Sequence, residues 1–398
     1  MKKIILSLSA AFFIFSNATA QSDTLKNKKD GHYYFTVIKN NETTEVQNQW
    51  RTGTCWSFSS LSFIESELIR TGKGKHNLSE MFIVHNAYIA KAERYVRMHG
   101  KMNFSQGGAF HDIPFVIKNF GIVPESVYLG LNYGEEHHNH SELEAVLKGM
   151  LDAVIKNKQR HLTTAWKPSV EKVLDTYLGE IPKEFEYEGK KYTPQSYAKH
   201  LGLNMDDYVE VTSFTHHPFY ESFVLEVPDN WVFGSVYNVP LDELMEIMEY
   251  AIMNGYTVAW GADVSEKGFS FRDGLAIVPK DPSTIKTKGK DSKYYNNAGA
   301  EKQSDAFDAP VEELEITQEM RQKAFDNYET TDDHGMHIVG MVKDQNGTKY
   351  FVVKNSWGTK NDCDGYFYAS EAYFKYKTID IMLHKDAIPP HLRKKLGF

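Results

Sequence analysis

The stretch Asn48 to Phe58, NQWRTGTCWSF, carries one of only two cysteines in 398 residues. Cys55 follows a Gly53-Thr54 turn and opens a run in which Phe58, Leu61, Ile64 and Leu68 recur at three- and four-residue steps. That is the period of an amphipathic helix, and it leaves Glu65 and Glu67 to face water. A thiol at a helix N-terminus feels the positive end of the helix dipole, which favours the thiolate and lowers its pKa. To act as a nucleophile it needs a base, a group that orients the base, and donors for a developing oxyanion. His334 and Asn355 can supply the first two: the imidazole pairs with the thiolate, while the Asn355 carbonyl accepts the other ring N–H and fixes the tautomer. Gln49 can aim its amide N–H at the oxyanion beside the backbone N–H of Cys55. In the alternative, Cys55 is a buried small hydrophobe or half of a Cys55–Cys363 disulfide, which an oxidising compartment would permit. Cys363, in a polar Asn361-to-Gly365 turn, reads most simply as a free thiol.

These residues need elements to bring them together across a long stretch of chain. His334 to Gly358 holds two β-rich runs joined by Asp344-Gln345-Asn346-Gly347, and Asn-Gly is a strong hairpin signal. The turn returns Asn355 toward His334 at one open end, in a register that a single bulge would shift. His337 competes as the base. Three residues along a strand place it on the opposite face, and His334 is favoured. Upstream, residues 31–46 read as a strand and turn, and residues 78–100 as helix; a Gly107-Gly108 break precedes an apolar run ending at Gly121. Residues 131 to about 230 are charged, His-rich and largely helical by pattern, an insertion on a smaller scaffold, with Leu143–Ile155 and Val170–Leu178 the clearest helices. After Pro240 come a helix to Met253, a stop at Gly255 and an apolar strand over Tyr256–Val264. Residues 265–330 read as loop with one short helix near Glu312–Tyr328.

Composition bounds the rest. Residues 1–20 read as an export signal, with Lys2 and Lys3 before an apolar run and small residues at the cut. The expected protein is exported, to the periplasm or outside, with no other stretch apolar enough to span a membrane. Losing the signal moves the formal charge from -8 to -10, which argues against a nucleic-acid partner. A mature chain of about 378 residues exceeds a usual single core, so two lobes or one domain with large insertions are expected. The His137-His138-Asn139-His140 and His216-His217 clusters lack the spacing of zinc sites and read as solvated loops; no metal is expected.

NQWRTGTCWSF, LSE at Leu78–Glu80, Gly107-Gly108, DHGMHIVGM from Asp333 and KNSWG from Lys354 resemble, in order and spacing, the papain-type cysteine peptidases. The Arg-Thr-Gly-Thr before Cys55, AERY at Ala92–Tyr95, the helical insert and GYFYASEAYF after the Asn motif resemble the bleomycin hydrolase and aminopeptidase C branch. The resemblance implies an α+β papain-like two-lobe fold with the active site in the cleft. The helical lobe would span about 50–130, the mainly helical insertion about 131–230, and the β-barrel lobe with its C-terminal tail about 31–48 and 231–398. It implies attack by Cys55, proton transfer by His334, orientation by Asn355 shielded by Trp357, an oxyanion donor in Gln49, and substrate-backbone binding at Gly107 and Gly108. It implies no cofactor, peptide substrates, and closed hexamers in relatives. In that branch the chain's own C-terminal carboxylate lies in the cleft and pairs with a substrate's free α-amino group, which makes Phe398 the cleft candidate here. About 28 residues, Gln21 to Asn48, precede the motif and read as part of the fold, so no conventional propeptide fits. The expected protein is an aminopeptidase; the alternatives are an endopeptidase without a propeptide and a non-catalytic exported binding protein on the same scaffold.

Overall fold

The structure, a computed structural model, describes residues 25–158, 161–288 and 301–398; the export signal at 1–20 lies outside them. Helix α1 (Cys55–Arg70) begins at the nucleophile candidate. α2 (Glu80–Arg97) follows, capped by the Ser79 side chain, which accepts the Phe82 N–H. α3 (Asp112–Phe120), α4 (Ser141–Lys156), α5 (Trp166–Leu178) and α6 (Pro194–Leu201) complete the first lobe. α4 and α5 bury Leu143, Leu147 and Leu151 and Val170, Leu174 and Leu178, single stripes at four-residue spacing. α7 (Leu241–Met253), α8 (Gln318–Asp326), α9 (Glu371–Lys377) and α10 (Pro390–Leu396) belong to the other lobe.

That lobe is built on a mixed 12-stranded sheet. Its centre is the His334–Lys343 strand. The first half pairs with Val258–Ala262, the second with Tyr34–Asn40, and the other edge with Lys349–Lys354. The hairpin forms as the Asn-Gly turn predicts, with a bulge between Ile338 and Gly340. Two hydrophobic cores separate the lobes. One gathers α1 to α6 around residues such as Phe63, Phe82 and Leu147. The other gathers α7, α9, α10 and the sheet around Trp260, Ile338 and Phe374.

Two expectations change. The 131–230 segment is helical only as far as Leu201; Tyr208–Thr212 and Ser222–Val224 then join the large sheet. Glu65 and Glu67 are 3 % and 1 % exposed, not solvated, because α1 packs against both α2 and the His334 strand. Glu65 accepts from Thr44 Oγ1 at 2.6 Å and the Leu78 N–H at 2.8 Å, and Glu67 pairs with Arg70 at 2.6 Å. Buried carboxylates are kept by such partners.

Candidate active site

Cys55 is the first residue of α1, and a cavity of about 540 Å³ opens in front of it between the two lobes. The turn that delivers it is wired locally. Thr52 Oγ1 donates to the Gln49 carbonyl at 2.8 Å, and Gln106 Oε1 accepts the Gly53 N–H at 2.8 Å. Trp50 takes a left-handed φ of 53° and stacks on His137 with ring centroids 3.5 Å apart. Across the cleft, the His334 strand meets the start of α1 so closely that a Cβ on Gly335 would lie 2.8 Å from Ser59 Oγ. Glycine is required there by the approach of strand to helix.

The hydrogen bonds assign His334's tautomer. Asn355 Oδ1 accepts the Ser356 N–H at 2.8 Å, which orients the amide, and the same oxygen lies 2.8 Å from His334 Nε2. Nε2 therefore carries the proton, and Nδ1 is the acceptor left for the thiol. Trp357 covers this pair, its ring 4.6 Å from the imidazole. Asn355 Nδ2 and Trp357 Nε1 are buried without hydrogen-bond partners among the described residues.

Electrostatics departs from the helix-dipole expectation. Burial pushes the Cys55 thiol up to about 12, with Asp332 and Asp229 adding to the effect and the Gly335 and Trp56 backbone N–H groups opposing it. Burial likewise pulls His334 down to about 4, against the pull of Asn355 and Asp333. A helix terminus contributes about 0.3–1 kcal/mol, less than the roughly 1.4 kcal/mol of a tenfold step, so it cannot offset that displacement.

Gln49 lines the cleft. Its Oε1 accepts from Ser356 Oγ at 2.6 Å, and Nε2 gives one hydrogen to the Thr52 carbonyl at 2.7 Å, leaving the second for another acceptor. In the first turn of α1 the Ser57 and Phe58 N–H groups go to the Thr54 carbonyl at 2.9 and 3.3 Å, while the Cys55 N–H precedes any intrahelical acceptor. Gly107 and Gly108 also line the cleft. Their missing Cβ atoms make room for the protein's own groups: one on Gly107 would lie 1.8 Å from Asp229 Oδ2, and one on Gly108 2.5 Å from Asp112 Oδ2.

Phe398 is placed elsewhere, a correction to the cleft candidate. α10 buries Leu392 and Leu396 in the sheet-lobe core, Lys395 pairs with Glu243 at 2.6 Å, and the Phe398 ring packs on Tyr237 with centroids 4.7 Å apart. These contacts hold the chain end away from the cleft wall. The disulfide alternative is also overturned: both cysteines are free, and Cys363 Sγ donates to the Asn27 carbonyl at 2.8 Å. His337 lies on the other face of its strand, its Nδ1 2.9 Å from Ser62 Oγ.

Among the histidine clusters, His138 and His140 are 8 % and 0 % exposed rather than solvated, and burial lowers them to about 4 and about 3. His216, His217 and Glu226 come together near the surface. Gln322 Oε1 accepts the Thr215 N–H, which turns its Nε2 to His216 Nδ1 at 3.0 Å. His216 is left to donate from Nε2 to Glu226 at 3.0 Å, so a hydrogen bond accounts for the grouping.

Sequence reasoning missed Gln106, Ser356, Asp229 and Asp332. The first two adjoin recognised motifs, and adjacency was the available signal. Asp332 directly precedes the histidine motif, and Asp229 sits in a Pro228-Asp229-Asn230 turn whose destination no local pattern encodes.

Comparison with known proteins agrees with this geometry. A model of the Peptidase C1-like family matches residues 8–278 and 293–397. Aminopeptidase G of Lactobacillus delbrueckii subsp. lactis is 26 % identical over 388 residues, covering 86 % of this chain and 81 % of that protein. Aminopeptidase C of the same organism is 25 % identical, covering 89 % and 82 %. The crystal structure of PepW from Lactobacillus rhamnosis superposes with a TM-score of 0.67 at 20 % identity, covering 91 % of this chain and 84 % of the other. The fold is the papain-like α+β one, and with a family model spanning nearly all of its length the chain belongs to the Peptidase C1-like family, a cysteine-type peptidase.

Proposed function

We propose that this chain is an exported aminopeptidase that hydrolyses peptide bonds through Cys55, His334 and Asn355. The observation that carries the catalytic part is the Asn355–His334 bond at 2.8 Å, which leaves Nδ1 as the acceptor beside a thiol at a helix start. His334 takes the Cys55 proton, and the sulfur attacks the peptide carbonyl carbon. The oxyanion is received by the Cys55 N–H and the free Gln49 Nε2 hydrogen. Collapse breaks the C–N bond, His334 gives its proton to the departing amine, and a thioester remains. Water then attacks that thioester as His334 takes its proton; the acid leaves, and the proton returns to sulfur.

The exopeptidase part is supported by relatives named aminopeptidases G and C. The alternative reading is an endopeptidase, and the placement of Phe398 against Tyr237, outside the cleft lining, is the observation that keeps it. Comparing kcat/KM on matched free and N-acetylated peptides decides between them, with equal rates excluding the aminopeptidase. Cys55→Ala is expected to lower turnover by about 10⁴-fold or more and to abolish labelling by a thiol-directed epoxide; retained activity refutes the nucleophile. Export is checked by N-terminal sequencing of the secreted chain, expected to begin near Gln21, and the hexamer by light scattering. Among the described residues no helix is long and apolar enough to cross a membrane.

A further inference from the structure

The Phe398 ring packs on Tyr237, outside the cleft lining, and the carboxylate of Asp229 stands on the cleft wall. Asp229 lies in the loop between the Ser222–Val224 and Ser235–Asn238 strands. The next residue, Asn230, staples that loop: Nδ2 donates to the Leu225 and Gly234 carbonyls, both at 2.9 Å, and Oδ1 accepts the Gly234 N–H at 2.7 Å. Trp231 is 3 % exposed and donates from Nε1 to Asp112 Oδ2 at 2.5 Å, anchoring the loop in the helical lobe. Asp229 Oδ1 accepts from Asn103 Nδ2 at 2.7 Å and from Ser105 Oγ at 3.0 Å. Oδ2 stands over Gly107, where a Cβ would come within 1.8 Å of it, and accepts no hydrogen bond among the described residues.

Nothing nearby neutralises this charge by direct contact. Lys91 lies within electrostatic range, but its ammonium goes to the Ser105 and Gly107 carbonyls. The described cleft lining includes Glu226, Asp326, Asp332, Asp333 and Asp380 besides Asp229, and no lysine or arginine.

We infer that Asp229 receives the free α-ammonium group of a peptide substrate and, by standing over Gly107, limits how much chain can precede the scissile bond. The inference rests on the aminopeptidase reading and names the residue that makes it so. An ammonium would meet a fixed carboxylate oxygen that lacks a donor, a charge-assisted bond. An N-acylated substrate keeps one N–H at that nitrogen but loses the charge, and its acyl group, like a longer chain, would collide with the side chain.

The test measures kcat/KM for free and N-acetylated forms of one peptide, normalised to epoxide-labelled Cys55, in the full-length protein and in Asp229→Asn, Asp229→Ala and Asp332→Asn. Asp229→Asn keeps an acceptor for Asn103 and Ser105 and is expected to cut the free-over-blocked preference by about 10- to 100-fold. Asp229→Ala is expected to raise cleavage of blocked peptides. A labelled Asp229→Asn that keeps its preference overturns the assignment, as does loss of preference in Asp332→Asn alone. If the unaltered protein has no preference, the aminopeptidase reading itself fails and the assignment falls with it. If Asp229→Asn does not take the label, the Asn103→Ala, Ser105→Ala pair, which frees the carboxylate from its clamp, takes its place; reduced preference supports the assignment and an unchanged one overturns it.

Discussion

The two faces of the His334–Lys343 strand carry two histidines three residues apart that share much of their physics. His334 is 5 % exposed and His337 1 %, and burial lowers the pKa of both. They differ in what their ring nitrogens meet. On the cleft face, an oriented amide accepts the Nε2 proton of His334 and leaves Nδ1 as the ring's remaining acceptor. On the other face, His337 Nδ1 is engaged with Ser62, Nε2 has no hydrogen-bond partner among the described residues, and Lys354 lies close enough to oppose protonation. A displaced pKa therefore marks burial here, and hydrogen-bond geometry is what distinguishes His334 as the proposed base.

Substitutions sharpen this contrast. His334→Ala is expected to lower kcat/KM by about 10²–10⁴-fold with Cys55 still in place; an activity within tenfold of the unaltered protein would move the base to the other face. The pH profile gives a second reading. His334 accepts the thiol proton only when neutral, and burial holds it at about 4. As pH falls from 7, kcat/KM should stay level until near 4 and then drop about tenfold per unit. A limb near the ordinary histidine value of about 6.5 would mean an imidazole in contact with bulk water. His337→Ala should have the smallest effect on catalysis, a change of a few-fold, while lowering stability by about 1–3 kcal/mol through lost packing and an exposed gap beside Ser62 and Phe63. Measuring denaturant midpoints alongside kcat/KM separates the two roles.

Much of the catalytic face was legible because its signals are local. The apolar period placed α1 and so Cys55 at its start, and the Asn346-Gly347 turn returned Asn355 to His334. Strand alternation separated His334 from His337. What was not legible depends on tertiary approach. Glu65 and Glu67 obey the pattern of a solvated helix face, yet α1 is enclosed; Thr44 and Leu78 from other segments satisfy Glu65, and Arg70 one turn on satisfies Glu67. Asp229 reaches Gly107 from a segment that composition assigned to the insertion, because the strands beyond Leu201 belong to the sheet and their loop returns to the cleft. Phe398 was assigned by family resemblance, and the buried leucines of α10 together with Tyr237 decide otherwise.

The Tyr34–Asn40 strand pairs with Gly340–Lys343, continuing the strand that begins at His334, and Tyr33 and Phe35 are 0 % and 2 % exposed. The segment ahead of the nucleophile is thus a stave of the sheet rather than a removable cover. Cutting it away would open a hydrogen-bonding edge and a hydrophobic pocket on the element that carries the base. Trimming into Tyr34–Asn40 is therefore expected to cost stability and, with it, the placement of His334.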